Sequence, residues 1–177
     1  MLKEIILDLL HKYYLRYGRP LAGRKKLQKL MFLVEYDIDG RRVRKLGYTG
    51  AVFKVLFYGP YSDEVAEAVE ELVREGYVDE IVISHESPSR LINRWMGELL
   101  EEGGRVYVYE PVRRAGKALP PDVEERVEVV VEKYGRMSGG QLEQLVCERL
   151  GLDPETKMKY FGLSIDDYLR KRDSPAS

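Results

Sequence analysis

The residues of this chain best suited to chemistry are cations clustered towards its amino-terminal end. Arg24-Lys25-Lys26 and Lys29 place four positive charges on about one and a half turns of a predicted helix. Such clusters neutralise phosphates, because each contact releases condensed counterions. The pattern indicates an anionic partner without distinguishing DNA, RNA and an acidic protein, and its alternative is a solvated helix face. The candidate set is Arg16, Arg19, Arg24, Lys25, Lys26, Lys29, Arg41, Arg42, Arg44 and Lys45.

Charge is distributed unevenly along a chain whose net charge is only -1. The stretch from His11 to Lys54 holds 12 basic and 3 acidic residues, whereas Val55 to Gly104 holds 3 basic and 12 acidic ones. If the two stretches do not interleave in space, the sequence predicts one basic and one acidic surface. The alternative is that the two stretches neutralise each other across a single fold.

Residues that could catalyse a reaction are few and isolated in the sequence. The chain has no phosphate-binding P-loop, no nucleophile elbow and no zinc-protease motif. His11 lies off the apolar stripe of the first predicted helix, and His85 lies in a polar loop. Cys147, the single cysteine, is expected to be a small buried residue. We therefore expect no enzyme, no cofactor and no metal site.

Composition indicates a globular protein with a real core. The chain has 177 residues, of which 44% are hydrophobic and 33% are charged. No apolar run is long enough for a membrane span, and the amino terminus does not resemble a signal peptide, so we expect a cytoplasmic protein without a membrane partner. One Asn and three Gln beside so many charged residues are typical of a thermophile.

Apolar periodicity and capping residues predict an α+β fold that is mainly helical. The predicted helices cover 2–17, 23–37, 63–75, 89–102, 122–134 and 138–150, and a final turn begins at Ser164. The predicted strands cover 52–58, where Gly59-Pro60 ends the strand, 77–83 and 105–112, while 41–50 is predicted to be a loop or frayed hairpin. This order resembles a winged-helix core, a helical triad packed on a small antiparallel sheet. The expected organisation is a core at 1–112 with a helical insertion at 85–104, a helical part at 113–170 packed on that core, and a disordered tail at 171–177.

The predicted helix over 63–75 would occupy the position of a winged-helix recognition helix. It is strongly acidic, so phosphates would repel it from a DNA groove, and any nucleic acid should bind the basic stretch 16–45 instead. We therefore favour protein recognition through charged surfaces. The insertion could expose an anchor, although its apolar stripe favours packing against the sheet or a neighbouring helix. The protein-partner candidates are Glu67, Glu70, Glu71, Arg74 and Trp95.

Several short motifs occur in a characteristic order. The segment from Lys26 to Phe32 reads Lys-Leu-Gln-Lys-Leu-Met-Phe, and the segment from Phe57 to Ser62 reads Phe-Tyr-Gly-Pro-Tyr-Ser. An amphipathic helix, the tetrapeptide from Glu75 to Val78, and a later Gln141-Leu142 helix follow. Over residues 5 to 150 this pattern resembles the Panacea (SocA-like) antitoxin domain and the YwgA-like prokaryotic proteins.

The resemblance implies a non-enzymatic, mainly helical module that neutralises a cognate toxin or acts as an adaptor. It carries over no catalytic residue, and its motif residues are expected to be structural: Leu27, Gln28, Lys29, Leu30, Tyr58, Gly59, Pro60 and Ser62. The amide of Gln28 is expected to bind a backbone group near the turn at 59–61. The leading hypothesis is a protein-binding module with a protein partner such as a toxin. The alternative is a DNA-binding regulator that uses the stretch 16–45, and a homodimer is left open.

Overall fold

The fold is known from a computed structural model, which describes residues 1–84 and 104–174. The helices are α1 (Leu2–Tyr17), α2 (Arg24–Glu35), α3 (Asp63–Arg74), α4 (Pro121–Tyr134), α5 (Gly139–Leu150), α6 (Pro154–Lys159) and α7 (Ile165–Asp173). The strands are β1 (Leu21–Ala22), β2 (Tyr36–Asp37), β3 (Arg44–Lys45), β4 (Lys54–Leu56), β5 (Gly59–Tyr61), β6 (Val78–Ser84) and β7 (Arg105–Pro111). The predicted α+β class with a helical majority is confirmed.

Helix α2 is the centre of the fold. Every residue from Lys26 to Glu35 is buried, and α4 and α5 pack directly against the helix. A helix that is buried on all sides needs apolar residues around its whole circumference, and the run from Leu30 to Val34 supplies them. Helix α1 packs against α3 and α4 through residues at helical spacing such as Ile6 and Leu10.

The main sheet has three antiparallel strands in the order β1-β7-β6. Strands β6 and β7 form a hairpin whose register runs from Val78 opposite Pro111 to Ser84 opposite Arg105. Strand β1 adds only the pairs of Leu21 with Tyr109 and Ala22 with Val108. This short pairing ties the start of α2 to the sheet, because Gly23 also donates its N–H to the carbonyl of Tyr107 at 2.8 Å.

The hairpin of β4 and β5 corrects the prediction for residues 52–60. The first strand covers only Lys54–Leu56, Phe57 and Tyr58 form a two-residue loop, and Gly59–Tyr61 is the returning strand rather than a stop. The apolar run predicted a buried strand, yet Val52, Phe57 and Tyr58 are exposed. Pro60 is tolerated because β5 is an edge strand of a two-stranded ladder.

The carboxyl-terminal segment packs onto this hairpin. Val55 donates its N–H to the carbonyl of Leu163 at 2.8 Å and accepts from the N–H of Gly162 at 2.7 Å. Ser164 caps α7, as predicted, but the helix continues to Asp173. The predicted disordered tail therefore starts too early at 171, because α7 includes residues 171–173.

Other predictions for the chain have mixed outcomes. The predicted capping box of Ser138 and Gln141 is present at the start of α5. Within the segment predicted as a loop or frayed hairpin, Arg44–Lys45 pairs with β2 as a short strand. The predicted helix 89–102, with Trp95, and the loop residue His85 lie outside the described residues. No helix in the described part of the chain is long and apolar enough to cross a membrane.

Candidate functional site

An open groove of about 700 Å³ lies between the start of α2, the β4–β5 hairpin, α3 and the β6–β7 hairpin. Helix α2 forms one wall, and the loop of the β4–β5 hairpin forms the rim. Helix α3 and the two long strands complete the lining. The groove is lined by Arg24, Lys25, Leu27, Gln28, Lys29, Leu56, Phe57, Tyr58, Gly59, Tyr61, Val65, Ala66, Val69, Glu70, Glu80, Tyr107, Tyr109 and Phe161.

The rim of the groove carries three exposed aromatic side chains. Phe57, Tyr58 and Phe161 are 62%, 50% and 48% exposed, and the rings of Phe57 and Phe161 lie 4.7 Å apart. Two-residue hairpin loops favour Gly, Asn or Asp, which adopt positive φ easily, whereas this loop consists of two aromatic residues with negative φ. Turn geometry therefore does not explain the choice of Phe57 and Tyr58. Exposed aromatic clusters of this kind are typical of contact surfaces for a partner.

Cations line the α2 wall of the groove. The Arg24 guanidinium lies 3.9 Å from the centre of the Tyr107 ring, and the Lys25 ammonium lies 4.2 Å from that of Tyr58. Lys25 also forms an ion pair with Glu143 of α5 at 3.1 Å. The first turn of α2 holds no acidic residue, although the helix dipole favours acids there. Arg24 and Lys25 therefore lie at this helix end against the preference of the dipole.

Acidic side chains also line the groove. Glu70 of α3 and Glu80 of β6 belong to its lining and are exposed. The groove thus combines cations, carboxylates and aromatic rings. Such a surface complements a segment of mixed charge better than a uniform polyanion.

Lys29 lies at the floor of the groove and is only 2% exposed. Its ammonium donates a hydrogen bond to the carbonyl of Pro60 at 2.9 Å. Burial lowers the pKa of Lys29 to about 8, so the side chain remains mostly charged at neutral pH. Placing a charge here costs stability, since water is largely excluded from the site.

The floor is closed by an unusually tight contact between β5 and α5. Gly59 has a φ of 91°, and a Cβ at this position would lie 2.8 Å from the Cys147 sulfur. Only glycine permits both this conformation and this approach. Cys147 is buried, as predicted, and burial raises the pKa of its thiol. The thiol is therefore protonated and acts as a packing residue of the floor.

The buried position of Lys26 contradicts the prediction that it belongs to a basic surface. Its side chain is only 6% exposed, and its ammonium donates to the Tyr13 hydroxyl at 3.0 Å and to the Gly135 carbonyl at 2.7 Å. The expectation that the four cations of α2 form one exposed cluster is therefore wrong. Lys26 faces α1 and the end of α4, and Lys29 is buried on the hairpin side, because α2 is surrounded by other elements.

The other predicted cations do not join Arg24 and Lys25. Helix α2 has 12 residues and spans about 18 Å, so the basic loop and strand at 41–45 lie at its far end. There Arg44 and Lys45 form ion pairs with Asp37 at 3.5 Å and with Asp166 at 2.5 Å. Arg16, which forms an ion pair with Glu132, and Arg19, Arg41 and Arg42 are also exposed. The structure separates the predicted set into at least two surfaces.

The Gln28 side chain binds the backbone of Ser62, next to the hairpin, as predicted. Its amide nitrogen donates to the Ser62 carbonyl at 3.0 Å, and its amide oxygen accepts from the Ser62 N–H at 2.9 Å. Ser62 is buried and, as predicted, caps α3 with its hydroxyl. This double hydrogen bond fixes α3 relative to α2 and therefore sets the width of the groove. Leu27 and Leu30 are buried, as predicted.

The predicted protein-partner residues lie only partly at the groove. Glu70 lines it, whereas Glu67 and Arg74 are exposed elsewhere on α3. Glu71 forms an ion pair with Lys3 at 3.2 Å. Trp95 lies outside the described residues.

The aromatic lining of the groove was not predictable from the sequence. Phe57, Phe161, Tyr107 and Tyr109 come from separate segments, and nothing in their spacing predicts that they meet. One available signal was the Phe57-Tyr58 pair before Gly59-Pro60, since a loop ending in glycine can project aromatic residues.

No group of three or more potential metal ligands occurs in residues 1–84 and 104–174. Comparison of the chain with protein-family models, with curated proteins and with solved structures finds no match. The resemblance to the Panacea domain therefore stays a prediction.

Proposed function

We propose that this chain is a non-enzymatic protein-binding module of the antitoxin or adaptor type, which holds a segment of its partner in the groove. The observation that carries the proposal is the exposed aromatic set of Phe57, Tyr58 and Phe161 in a groove that is lined by both cations and carboxylates. Large aromatic side chains beside a concave surface supply most of the binding energy in protein interfaces.

We further infer that the core is winged-helix-like. The elements α1, β1, α2, α3, β6 and β7 follow one another in the order of that fold, with residues 36–62 inserted before α3. The sheet order β1-β7-β6 supports this inference, because it places the last strand between the other two. The third helix of such a core, α3, lines the groove with an acidic side chain, which supports a protein partner over a DNA groove.

Photo-crosslinking tests the proposed function directly. A benzoyl-phenylalanine placed at Phe57 should capture a defined protein in cells of the source organism, and the Phe161→Ser change should abolish that product. The matched control is the same label at Val129, an exposed residue of α4 remote in sequence from the groove lining. If position 57 yields no product beyond that of the control, the proposed function is wrong.

A DNA-binding regulator is the second candidate, and the exposed side chains of Arg41 and Arg42 favour it. Anisotropy of a labelled random duplex at low and near-physiological salt tests this candidate. Binding that falls steeply with salt and is lost in Arg41→Glu/Arg42→Glu would support it. Absence of binding even at low salt would eliminate it.

A further inference from the structure

Lys29 is a buried cation whose hydrogen-bonding capacity is mostly unused by the protein. An ammonium carries three donors, and in the described residues only the Pro60 carbonyl accepts from it. No carboxylate lies within ion-pair distance of Lys29 in residues 1–84 and 104–174. Buried charges are normally paired, so a buried ammonium that lines a groove points to an anionic group supplied by a ligand.

The charges around Lys29 favour the same kind of ligand. Burial is the main cause of the lowered pKa of Lys29. Cys147 and Glu143 raise this pKa, whereas Lys25, one turn earlier on α2, and Lys157 lower it less strongly by charge repulsion. Glu143, the acidic residue that acts on Lys29 from α5, is already in an ion pair with Lys25. The Lys29 ammonium therefore shares this carboxylate, and an anion in the groove would neutralise its charge.

Lys29 borders the open groove beside an apolar group. Gly59 lies next to the ammonium, since a Cβ built on it would lie 3.9 Å from the Lys29 nitrogen, and both residues line the groove. Phe57 and Phe161 line the same groove, and their ring centres lie 4.7 Å apart. A carboxylate next to an aromatic or aliphatic side chain matches this pair of features, whereas Glu70 and Glu80 in the same groove oppose a longer polyanion.

We propose that the partner segment is recognised through an Asp or Glu side chain that binds the Lys29 ammonium, with a neighbouring apolar side chain packed on Phe57 and Phe161. This inference rests on the proposed function and specifies its partner. A lysine held without a counter-ion in the free protein gives selectivity, since it disfavours segments that bring only apolar groups.

Selection from a random peptide library displayed on phage, with the full chain as bait, tests the inference. The selection is run in parallel on the wild type, on Lys29→Met and on Phe57→Ser/Phe161→Ser. We expect wild-type peptides to be enriched in an acidic residue beside an apolar one. Lys29→Met should lower the affinity of these peptides about tenfold or more, and the acid-to-amide versions of the peptides should show the same loss on the wild type.

The outcomes separate the inference from the function on which it rests. Peptides that depend on Phe57 and Phe161 but show no acidic preference would overturn the carboxylate inference and leave the groove as a binding site. Peptides that ignore both variants, or no enriched peptides, would overturn both. Enrichment of basic peptides would overturn the carboxylate inference, because Glu70 and Glu80 rather than Lys29 would then select the partner. The melting temperature of each variant, with Lys29→Gln as a second substitution, ensures that lost binding is not lost folding.

Discussion

The two faces of α2 use the same residue type in opposite ways. On the face towards α1 and α4, the Lys26 ammonium has two oxygen acceptors and lies 4.8 Å from the centre of the Tyr13 ring. On the face towards the hairpin, Lys29 is more deeply buried and has one acceptor. On the first face two of the three ammonium donors are used, and they connect α2 to α1 and to the residue that follows α4. The second leaves its charge available at the floor of a groove, which is what a binding site requires and a core does not.

The largest effect is expected where the hairpin meets α5. Gly59→Ala adds a methyl group to a residue with positive φ and forces it against the Cys147 sulfur, so unfolding should become easier by about 3 kcal/mol. Urea unfolding measures the loss. The matched control is Gly47→Ala, because Gly47 also has a positive φ, 79°, but no atom within 4 Å of an added Cβ. Equal stability of the two variants would show that β5 does not depend on the close approach.

Lys26→Met should lower the free energy of unfolding, because Lys26 joins α2 to α1 and to the end of α4. The change leaves the Tyr13 hydroxyl and the Gly135 carbonyl without their donor, and we expect a loss of about 2 kcal/mol. The same urea titration provides the value. If Lys26→Met were as stable as the wild type, the buried Lys26 would contribute nothing to stability. The contrast between the two faces of α2 would then disappear.

Lys29→Met should increase the free energy of unfolding at neutral pH, the opposite of the effect of Lys26→Met. The pKa of Lys29 falls from 10.5 in the unfolded chain to about 8 in the fold, so the folded state is penalised below pH 8. Removing the charge should raise the free energy of unfolding by about 1 to 2 kcal/mol, after the lost hydrogen bond to Pro60 is subtracted.

The pH dependence of that gain gives a sharper test. Between pH 8 and 10.5 the unfolded state binds more protons than the folded state, so the wild type gains stability as the pH rises. The advantage of Lys29→Met should therefore shrink over this interval. Urea unfolding at pH 7 and at pH 9.5 measures it, and an advantage that stays constant would contradict the burial of a charged lysine.

The smallest effect on stability is expected at the rim. Phe57→Ser/Phe161→Ser removes two exposed rings whose centres lie 4.7 Å apart, and the free energy of unfolding should change by less than about 1 kcal/mol. The control for an exposed apolar position is Val129→Ser. A loss of unfolding free energy as large as that of Gly59→Ala would show that the two rings stabilise the hairpin, which would contradict their role as a free contact surface.

The helices were predictable because their signals are local. Periodic apolar residues and the caps Ser62 and Ser138 define α3 and α5 almost to the residue. The groove was not predictable, because it depends on which elements surround α2. Periodicity cannot reveal that Lys26 meets Gly135, more than a hundred residues later, or that Phe161 returns to Phe57. The Phe57-Tyr58 loop was misjudged because β-forming residues usually indicate burial.

The most direct test of the account measures two properties of Lys29→Met on the same sample. We predict that its thermal midpoint is higher than that of the wild type at pH 7, while its affinity for the groove-dependent acidic peptides is lower about tenfold or more. Lys26→Met should have a lower thermal midpoint than the wild type and nearly the same affinity for these peptides. A Lys29→Met variant that loses stability and keeps its affinity would contradict the claim that this face of α2 is built for a partner.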